Sequence, residues 1–575
     1  MGELGLTAHQ GLPCAAALST TGASLIGSIN VIPKISFRRN TRKSVLRSSS
    51  VLVATAVAVA LAGCAKTTSN TNSGTGPPKS GGSLTVLEGS TFAGAWPGLD
   101  PATDTDGAAN MSYMDAIFGE LFELTQGGKT TGDLATGYKF TNGGKTVVVT
   151  LRQGVKFSDG TPFNADAVVF NWKRDLNSTC TCKPRFIGTP TITATGPYEV
   201  SLTLSYVDAP FINALQGSVF NWIASPTAIK SMAAKDFALK PVGAGPFTVE
   251  TDVPDSLLVL KKNPNYWEKA ADGTQLPYLN TLTFKPVGSD TDALTALESG
   301  AAQAYEGMST PSLVSSFKAK FQTTAEPSTS PYDIQLNTKI PPFNNITARQ
   351  AIYAATDTAL LDKSLFNNTY PVGQSFTAPA GLFYEKTVPG YITYDLQKAK
   401  QLVSQVPGGI NIQLGTLNAP VANSVDVALK NMWEAAGMHV TLQSWDLTGL
   451  IGAFTQGKWQ AMLQTAGAYD PGTGVGVGFR FSSLSPFTGV HDTKLDGMLN
   501  AAAATTDQNK RHTIYNNIAA YIAQNAYGPF LFPIAGYNIA AKGVGGPGLN
   551  SPLPVTDVNP EILWQYVFNN NNATG

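Results

Sequence analysis

Residues 410–445, INIQLGTLNAPVANSVDVALKNMWEAAGMHVTLQSW, carry the pattern that decides the fold. Apolar and polar residues alternate over Ile410–Leu414, and a period of two predicts a β-strand. Over Ser424–Ala436 apolar residues recur every third or fourth position, which is typical of an amphipathic helix, and Gly437 ends it. The alternation returns over His439–Trp445. A strand, a helix and a strand with short connections predict a parallel βαβ unit.

The flanking sequence extends this unit in both directions. A helix is predicted before it at 395–403, and a helix at 447–456 and a strand at 459–465 are predicted after it. Residues 395–465 therefore predict a doubly wound α/β domain. Elsewhere the same periodicities predict strands at 83–88, 146–152, 198–204, 257–260 and 281–285, and helices at 164–177, 495–503 and 511–524.

The composition indicates an exported globular protein. The chain has 575 residues, of which 43% are apolar, and this is enough for several folded domains. Lys plus Arg and Asp plus Glu number 39 each, so nothing indicates nucleic-acid binding. Residues 1–63 contain six basic residues and one acidic residue, which leaves 33 basic and 38 acidic residues in the rest. A basic N-terminus on a mildly acidic body is typical of secretion.

Residues 38–63 form a predicted signal peptide. Five basic residues precede the uncharged run Val51–Leu61, which is too short to span a bilayer but has the length of a signal-peptide apolar region. The run ends in Leu61-Ala62-Gly63-Cys64, which resembles a bacterial lipobox. This predicts cleavage before Cys64 and a lipid on its thiol, which would anchor the protein to the cell membrane on its extracellular or periplasmic side. An ordinary secretory signal with an incidental cysteine is the alternative.

Several shorter segments complete the predicted organisation. Residues 1–37 are a doubtful leader, best explained by a start codon assigned too early, and residues 64–82 are a polar, flexible tether. Residues 561–575 are predicted to be a tail. Cys180 and Cys182 are candidates for a disulfide outside the cytoplasm, although so small a ring is strained, and two thiols alone are not a zinc site.

No catalytic constellation is recognisable. Outside the leader the histidines are His439, His491 and His512, and neither His-Glu-x-x-His nor Gly-x-Ser-x-Gly occurs. Residues 452–459, GAFTQGKW, fit Gly-x₄-Gly-Lys, but Trp459 replaces the Ser or Thr that would hold Mg²⁺. We therefore predict no catalytic residue, no metal site and no cofactor, and we expect this protein not to be an enzyme.

A set of motifs in consistent order resembles one family across residues 83–535. It resembles family 5 of the extracellular solute-binding proteins of bacterial ABC importers, the dipeptide/oligopeptide/nickel class, in its lipoprotein form. The motifs are LRQGVKFSDGTPF at 151–163, PVGAGPF at 241–247, KNPNYW at 262–267, the segment from Asn337 to Asp357, KLDGML at 494–499, and the series Asp507, Arg511 and Tyr515.

The resemblance implies the fold and its domains. An α/β fold like that of the class II periplasmic binding proteins is expected, with two doubly wound lobes joined by a hinge and an extra small inserted domain. The expected ranges are 83–125, 240–325 and 526–560 for lobe I, 126–239 for the inserted domain, and 326–525 for lobe II.

Ligands of open α/β sheets lie at the carboxyl ends of the strands. The loop after the predicted strand 459–465 contains Gly467, Tyr469 and Asp470. Family members that take peptides use an Asp of this loop to pair with the peptide α-ammonium, and the resemblance assigns that role to Asp470. The alternative is that Asp470 only caps the turn before Pro471.

Three aromatic residues are further candidates for ligand contact. Trp445 ends a neighbouring strand and either lines a side-chain pocket or packs within its lobe. Phe92 and Trp96 follow the first strand, and we expect them to line the opposite wall of the cleft. Aromatic walls provide apolar contact with little loss of entropy, which suits varied ligands.

The expected function is capture of dipeptides or oligopeptides and their delivery to the permease of an ABC importer and, through it, to the ATPase. The expected partners are a peptide ligand, the importer and the membrane, with no nucleic acid, and the protein is expected to be a monomer. Alternatives with the same fold are a protein that binds oligosaccharides, nickel complexes or haem, and a sensor of signal peptides. An extracellular hydrolase is a weaker alternative, since no nucleophile and base are paired.

Overall fold

The structure is a computed structural model that describes residues 76–89, 98–104, 111–124, 129–178, 189–216, 218–308, 310–326, 328–329, 331–464, 469–473, 476–485, 487–533, 536–553 and 562–573. The predicted leader, the signal peptide with Cys64, most of the tether, and Cys180 and Cys182 lie outside these residues.

The strands are β1 (Ser83–Glu88), β2 (Phe122–Leu124), β3 (Thr130–Gly132), β4 (Ala135–Thr141), β5 (Thr146–Leu151), β6 (Thr191–Gly196), β7 (Glu199–Thr203), β8 (Phe247–Val253), β9 (Leu257–Lys262), β10 (Thr281–Pro286), β11 (Ala304–Met308), β12 (Gln322–Ala325), β13 (Asp333–Leu336), β14 (Asn411–Leu417), β15 (His439–Trp445), β16 (Ala461–Gln464), β17 (Tyr537–Ala540), β18 (Val544–Gly545) and β19 (Phe568–Asn569).

The helices are α1 (Met111–Phe118), α2 (Ala165–Leu176), α3 (Pro226–Ser231), α4 (Ala234–Leu239), α5 (Asp290–Glu298), α6 (Val314–Lys320), α7 (Ile346–Ala355), α8 (Thr358–Phe366), α9 (Leu396–Ser404), α10 (Pro420–Ala435), α11 (Leu447–Thr455), α12 (Val477–Phe481), α13 (Thr493–Ala503) and α14 (Gln508–Gln524). In the described part of the chain no helix is both long enough and apolar enough to cross a bilayer.

The first sheet has seven strands in the order β12-β17-β11-β1-β10-β9-β8. Strand β1 is parallel to both β10 and β11, while the other neighbours are antiparallel. One face packs in a core with α1 and Trp564, and the other packs around Tyr305 and Phe317 under α5 and α6. Both faces are therefore covered, as in doubly wound sheets.

The second sheet confirms the α/β unit predicted from residues 395–465. Its order is β13-β16-β14-β15, with β14 parallel to β15 and β16, and β13 antiparallel to β16. Trp433 of α10 is fully buried in its core. Helix α10 starts at Pro420 rather than at the predicted Ser424, because proline, which lacks an N–H, is well tolerated in the first turn of a helix.

The third sheet, β4-β5-β7-β6, is wholly antiparallel and lies within residues 135–203. Helix α2 packs on it, and the Asn164 side chain accepts from the Ala167 N–H at the start of that helix. The Trp172 indole is fully buried and donates to the Phe220 carbonyl at 2.8 Å. This sheet shares one continuous core with the first sheet.

Two adjacent parts of the chain, described at 326, 328–329 and 331–334 and at 529–533 and 536, run between the first and second sheets. They are tied by backbone hydrogen bonds from Glu326 N to Gly536 O and from Tyr332 N to Phe532 O, and by the return bond from Leu531 N to Tyr332 O. Paired connections of this kind can act as a hinge between lobes. Leu531 and Phe532 pack in the core of the second sheet. We therefore propose that the chain returns to lobe I after Phe532 rather than at residue 526, and the other predicted boundaries remain proposals.

The structure corrects the prediction that residues 561–575 form a tail. Residues 562–573 pack on the first sheet: Trp564 is 1% exposed, and its ring meets Phe284 edge-on at 5.2 Å. Strand β19 pairs with β18, and the Asn570 side-chain oxygen accepts from the Lys79 N–H. The polar run after residue 569 favoured a tail, but two large aromatic residues, Trp564 and Phe568, lie just before it. Their burial holds the segment in place, so the prediction was wrong.

Candidate functional site

The loop after β16 holds Asp470 in a closed set of hydrogen bonds. Its carboxylate is 0% exposed and accepts two bonds of 2.5 Å from the guanidinium of Arg511, in the bidentate geometry that suits this pair. Oδ1 also accepts from the Gly472 N–H at 2.9 Å, and Oδ2 from the Asn213 amide at 2.8 Å. Both oxygens of the predicted ammonium acceptor therefore already have protein partners.

Arg511 lies on α14 beside a stacked pair of aromatic rings. Its guanidinium carbon is 5.3 Å from the ring centroids of both Phe383 and Tyr515, which stack on each other. Burial lowers the pKa of Arg511, but the adjacent Asp470 carboxylate outweighs burial and the net pKa is raised. Burial, with a smaller contribution from Asp470, raises the pKa of Tyr469 to about 12. The Arg511 guanidinium is thus charged, and both side chains of the pair are buried.

The inserted domain reaches this ion pair through residues 208–213. The Ala209 N–H donates to the Ala503 carbonyl at 2.8 Å. The Asn213 side-chain amide donates to Asp470, and its oxygen accepts from the Thr130 hydroxyl. A Cβ atom at Gly472 would lie 2.6 Å from an Arg511 nitrogen, so only glycine allows this close approach. Asp470 therefore ties the inserted domain to lobe II. Its predicted ligand role remains a prediction, and a ligand ammonium could reach it only by displacing Arg511 or Asn213.

The other predicted contact residues are only partly within the described chain. Trp445 is half-buried at the end of β15, and its ring covers the neighbouring strand, since a Cβ atom at Gly415 would lie 2.0 Å from it. Tyr469 is buried, and its carbonyl accepts from the Leu382 N–H. Strand β15 is two strands from β16, about 10 Å, so the structure does not place Trp445 directly beside the Asp470 loop. Phe92, Trp96 and Gly467 lie outside the described residues.

Three buried glutamates, which the sequence analysis missed, lie in the first sheet near the edge at which β1 and β12 end. Glu88 ends β1 and is in register with Glu306 of β11, and Glu326 directly follows β12. They are 6%, 2% and 4% exposed. Burial raises the pKa of all three, to about 7 for Glu306, and the Glu306 charge raises the other two further. The available signal was Glu88, a charged residue at the end of the predicted strand 83–88, whereas β11 and β12 were not predicted.

A second group of acids surrounds a small cavity between α1 and the C-terminal segment, lined by Asp115, Glu120, Glu123, Asp133, Tyr266 and Gln565 among others. Burial is the main cause that raises the pKa of Glu123 to about 9 and that of Asp133 to about 7. Within the described residues no group of three or more His, Cys, Asp or Glu side chains is arranged to hold a metal ion.

Two α/β sheets joined by a pair of adjacent connections, with the strand ends of each at the connection, define a two-lobed solute-binding protein. The sequence matches the family described as bacterial extracellular solute-binding proteins, family 5 Middle, over residues 129–483, which is more than half of the chain. The chain therefore belongs to family 5 of the solute-binding proteins of ABC transporters.

Individual relatives agree with this assignment. The chain is 29% identical over 384 residues to the glutathione-binding protein GsiB of Salmonella typhi, covering 66% of this chain and 72% of the relative. The substrate-binding protein CtaP of Listeria monocytogenes superposes with a TM-score of 0.73 at 21% identity, over 86% of this chain and 100% of CtaP. The Helicobacter pylori protein DppA, solved with the peptide STSA, gives a TM-score of 0.67 at 21% identity, over 86% and 99%.

These comparisons confirm the predicted family and the class II periplasmic-binding-protein fold with two lobes and an inserted domain. The family consists of binding proteins rather than enzymes, and its members act outside the cytoplasm.

Proposed function

We propose that this protein captures short peptides between its lobes and delivers them to the permease of an ABC importer, and through it to the ATPase. It acts as a monomer, held on the outer side of the cell membrane by a lipid on Cys64. The observation that carries the choice of peptides is the 29% identity over 384 residues to a protein named for glutathione, itself a short peptide.

The paired connecting segments support capture by closure. Two adjacent hydrogen-bonded crossings let the lobes rotate while the cores on either side stay packed, because the crossings contain few residues and each sheet has its own core. Our proposed ligand contacts are the residues predicted from the sequence: Asp470, Tyr469, Gly467, Trp445, Phe92 and Trp96. Asp470 joins them only if the ligand replaces a bond from Arg511 or Asn213.

Peptide binding should stabilise the protein without chemistry. A ligand that binds only the folded state adds RT ln(1 + [L]/Kd), about 2.7 kcal/mol at a hundredfold excess over Kd. Thermal unfolding should therefore shift upward with a pool of short peptides, and mass spectrometry should recover the bound peptides intact. The same pool hydrolysed to amino acids is the control and should give no shift. Recovery of cleaved peptides would contradict a binding role.

The lipid anchor has its own test. Replacing Cys64 by Ala removes the thiol that would carry the lipid, so the protein should leave the membrane fraction and lose the acylated N-terminal peptide seen by mass spectrometry. Cys14→Ala is the matched control, because it changes a cysteine of the doubtful leader, and it should leave anchoring unchanged. Wild-type protein whose mature N-terminus carries no acyl group would overturn the lipoprotein assignment.

A further inference from the structure

The three glutamates form one cluster near the edge of the first sheet at which β1 and β12 end, with Glu306 in the middle of β11 but level with the end of β1. Glu88 and Glu306 are in register on neighbouring parallel strands, whose backbones lie about 4.8 Å apart. Strand β12 is antiparallel to β17, which is antiparallel to β11, so β12 runs parallel to β11 and ends at the same edge. Glu326 follows it and begins the connection to the second sheet. The cluster thus lies where open α/β sheets bind their ligands.

An indole and a hydroxyl orient one member of this cluster, Glu306, as a hydrogen-bond acceptor. Trp564 Nε1 donates to the Ser112 hydroxyl at 3.2 Å, and that hydroxyl therefore donates its own hydrogen to Glu306 Oε2 at 2.8 Å. Beside them, Trp222 Nε1 donates to Asp115 Oδ1 at 2.6 Å. An indole N–H only donates, so Glu306 Oε2 accepts at the end of the Trp564–Ser112 chain, and Asp115 Oδ1 accepts from Trp222 directly.

Two carboxyl oxygens near Glu306 have no hydrogen-bond partner. Glu326 Oε1 and Asp115 Oδ2 are buried without a hydrogen bond. Glu326 is only 4% exposed, and its carboxyl group faces the charge of Glu306. Among the described residues, no ion pair involves Glu88, Glu306, Glu326 or Asp115. Residues 90–97, 105–110, 327, 330, 534–535 and 554–561, which adjoin these elements in sequence, contain no Lys, Arg or His.

Buried carboxylates without a counter-charge are costly. In the ligand-free protein protonation relieves that cost, and a bound cation would take the place of the protons. The chain supplies no cation in the described residues around the cluster, and no metal-binding group is present there. An organic cation fits the acceptors, because an ammonium has three N–H donors and a guanidinium has five.

We propose that the carboxyl groups of Glu88, Glu306 and Glu326 bind a cationic organic group of the captured solute, an ammonium or a guanidinium. This inference rests on the proposed function and specifies it: the preferred peptides carry a positive charge, either at their free amino terminus or on a Lys or Arg side chain, and that charge enters lobe I rather than the Asp470 loop.

The test measures dissociation constants by calorimetry for the full-length protein and for the double variant Glu306→Gln/Glu326→Gln. Three tripeptide pools separate the sources of charge: free amino termini without basic residues, N-acetylated with one Lys, and N-acetylated without basic residues. Putrescine is a cationic probe that is not a peptide. Asp426→Asn is the matched control, because it neutralises a buried carboxyl group in lobe II.

At least one cationic pool should bind the wild type tenfold or more tightly than the neutral pool. The double variant should lose that preference while binding the neutral pool as before, and Asp426→Asn should keep it. Whichever cationic pool shows the preference identifies the source of the charge. The glutamine variants remove like-charge repulsion, so they should unfold at or above the wild-type temperature.

Equal binding of neutral and cationic pools, or an equal loss for every pool in the double variant, would overturn the inference and leave the proposed function standing. If no pool binds but putrescine binds the wild type and not the double variant, the cationic site stands and peptide capture fails. If neither the cationic pools nor putrescine binds, the inference is wrong.

Discussion

Replacing Arg511 by Met should lower the free energy of unfolding by about 3–5 kcal/mol, the cost of leaving one charge of a buried pair without its partner. Asp470 would keep only the bonds from Asn213 and Gly472, in a site that is 0% exposed. The measurement is urea unfolding of the ligand-free protein, followed by tryptophan fluorescence. The double variant Asp470→Asn/Arg511→Met should recover part of the loss, because no unpaired charge remains.

The matched control is Lys139→Met. Lys139 pairs with Glu199 at 3.7 Å across the third sheet, with 64% and 39% of the side chains exposed, and such surface pairs contribute less than about 1 kcal/mol. If Arg511→Met costs no more than Lys139→Met, the Asp470–Arg511 pair does not hold the inserted domain to lobe II. Asp470 would then be available to a ligand, as the sequence analysis predicted.

The free energy of unfolding of the ligand-free protein should fall as pH rises from 5 to 9. Asp133 has an ordinary pKa of 3.8 that is raised to about 7 in the folded state, mainly by burial, and the pKa of Glu123 is raised from 4.5 to about 9. Both groups prefer the proton when folded, so their stabilising contribution is complete below about pH 4 and is lost as pH rises through about 7 and 9. The shift of Asp133 alone, about three units, corresponds to about 4 kcal/mol.

The variant Glu123→Gln/Asp133→Asn should flatten this pH dependence, and the difference from the wild type isolates these two groups from the glutamates of the first sheet. In the Asp133→Asn change the side-chain amide oxygen can still accept the bond that Asp133 Oδ2 takes from the Glu120 N–H. Glu298→Gln, which changes an exposed carboxylate paired with Lys320, should keep the wild-type slope. The same slope in all three proteins would show that the folded state does not retain these protons.

The local elements were predictable because each is encoded within its own residues. The alternation over 410–414 and 439–445 and the helical period between them gave two parallel strands and α10, within four residues of the observed bounds. Asn164 was predicted to begin a helix and does cap α2, because its side chain reaches an N–H three residues ahead. The family motifs were likewise readable in order along the chain.

The surroundings of the candidate ligand residues were not predictable in the same way. Asp470 and Arg511 are 41 residues apart, and Asn213 is 257 residues from Asp470, so no periodicity links them. From sequence alone Asp470 was an acid in a loop before a proline. Only the packing of α14 and of the inserted domain against that loop gave it internal partners.

The sequence by itself determined the family, the alternation of strands and helices, and the absence of recognisable catalytic motifs, because these depend on neighbouring residues and on motif order. The tertiary structure alone decided which charged groups meet. Glu88 is more than two hundred residues from Glu306 and Glu326 in sequence, yet strand order and parallel direction bring the three carboxyl groups to one edge. Burial and mutual repulsion, the two causes of their raised pKa, exist only after that assembly.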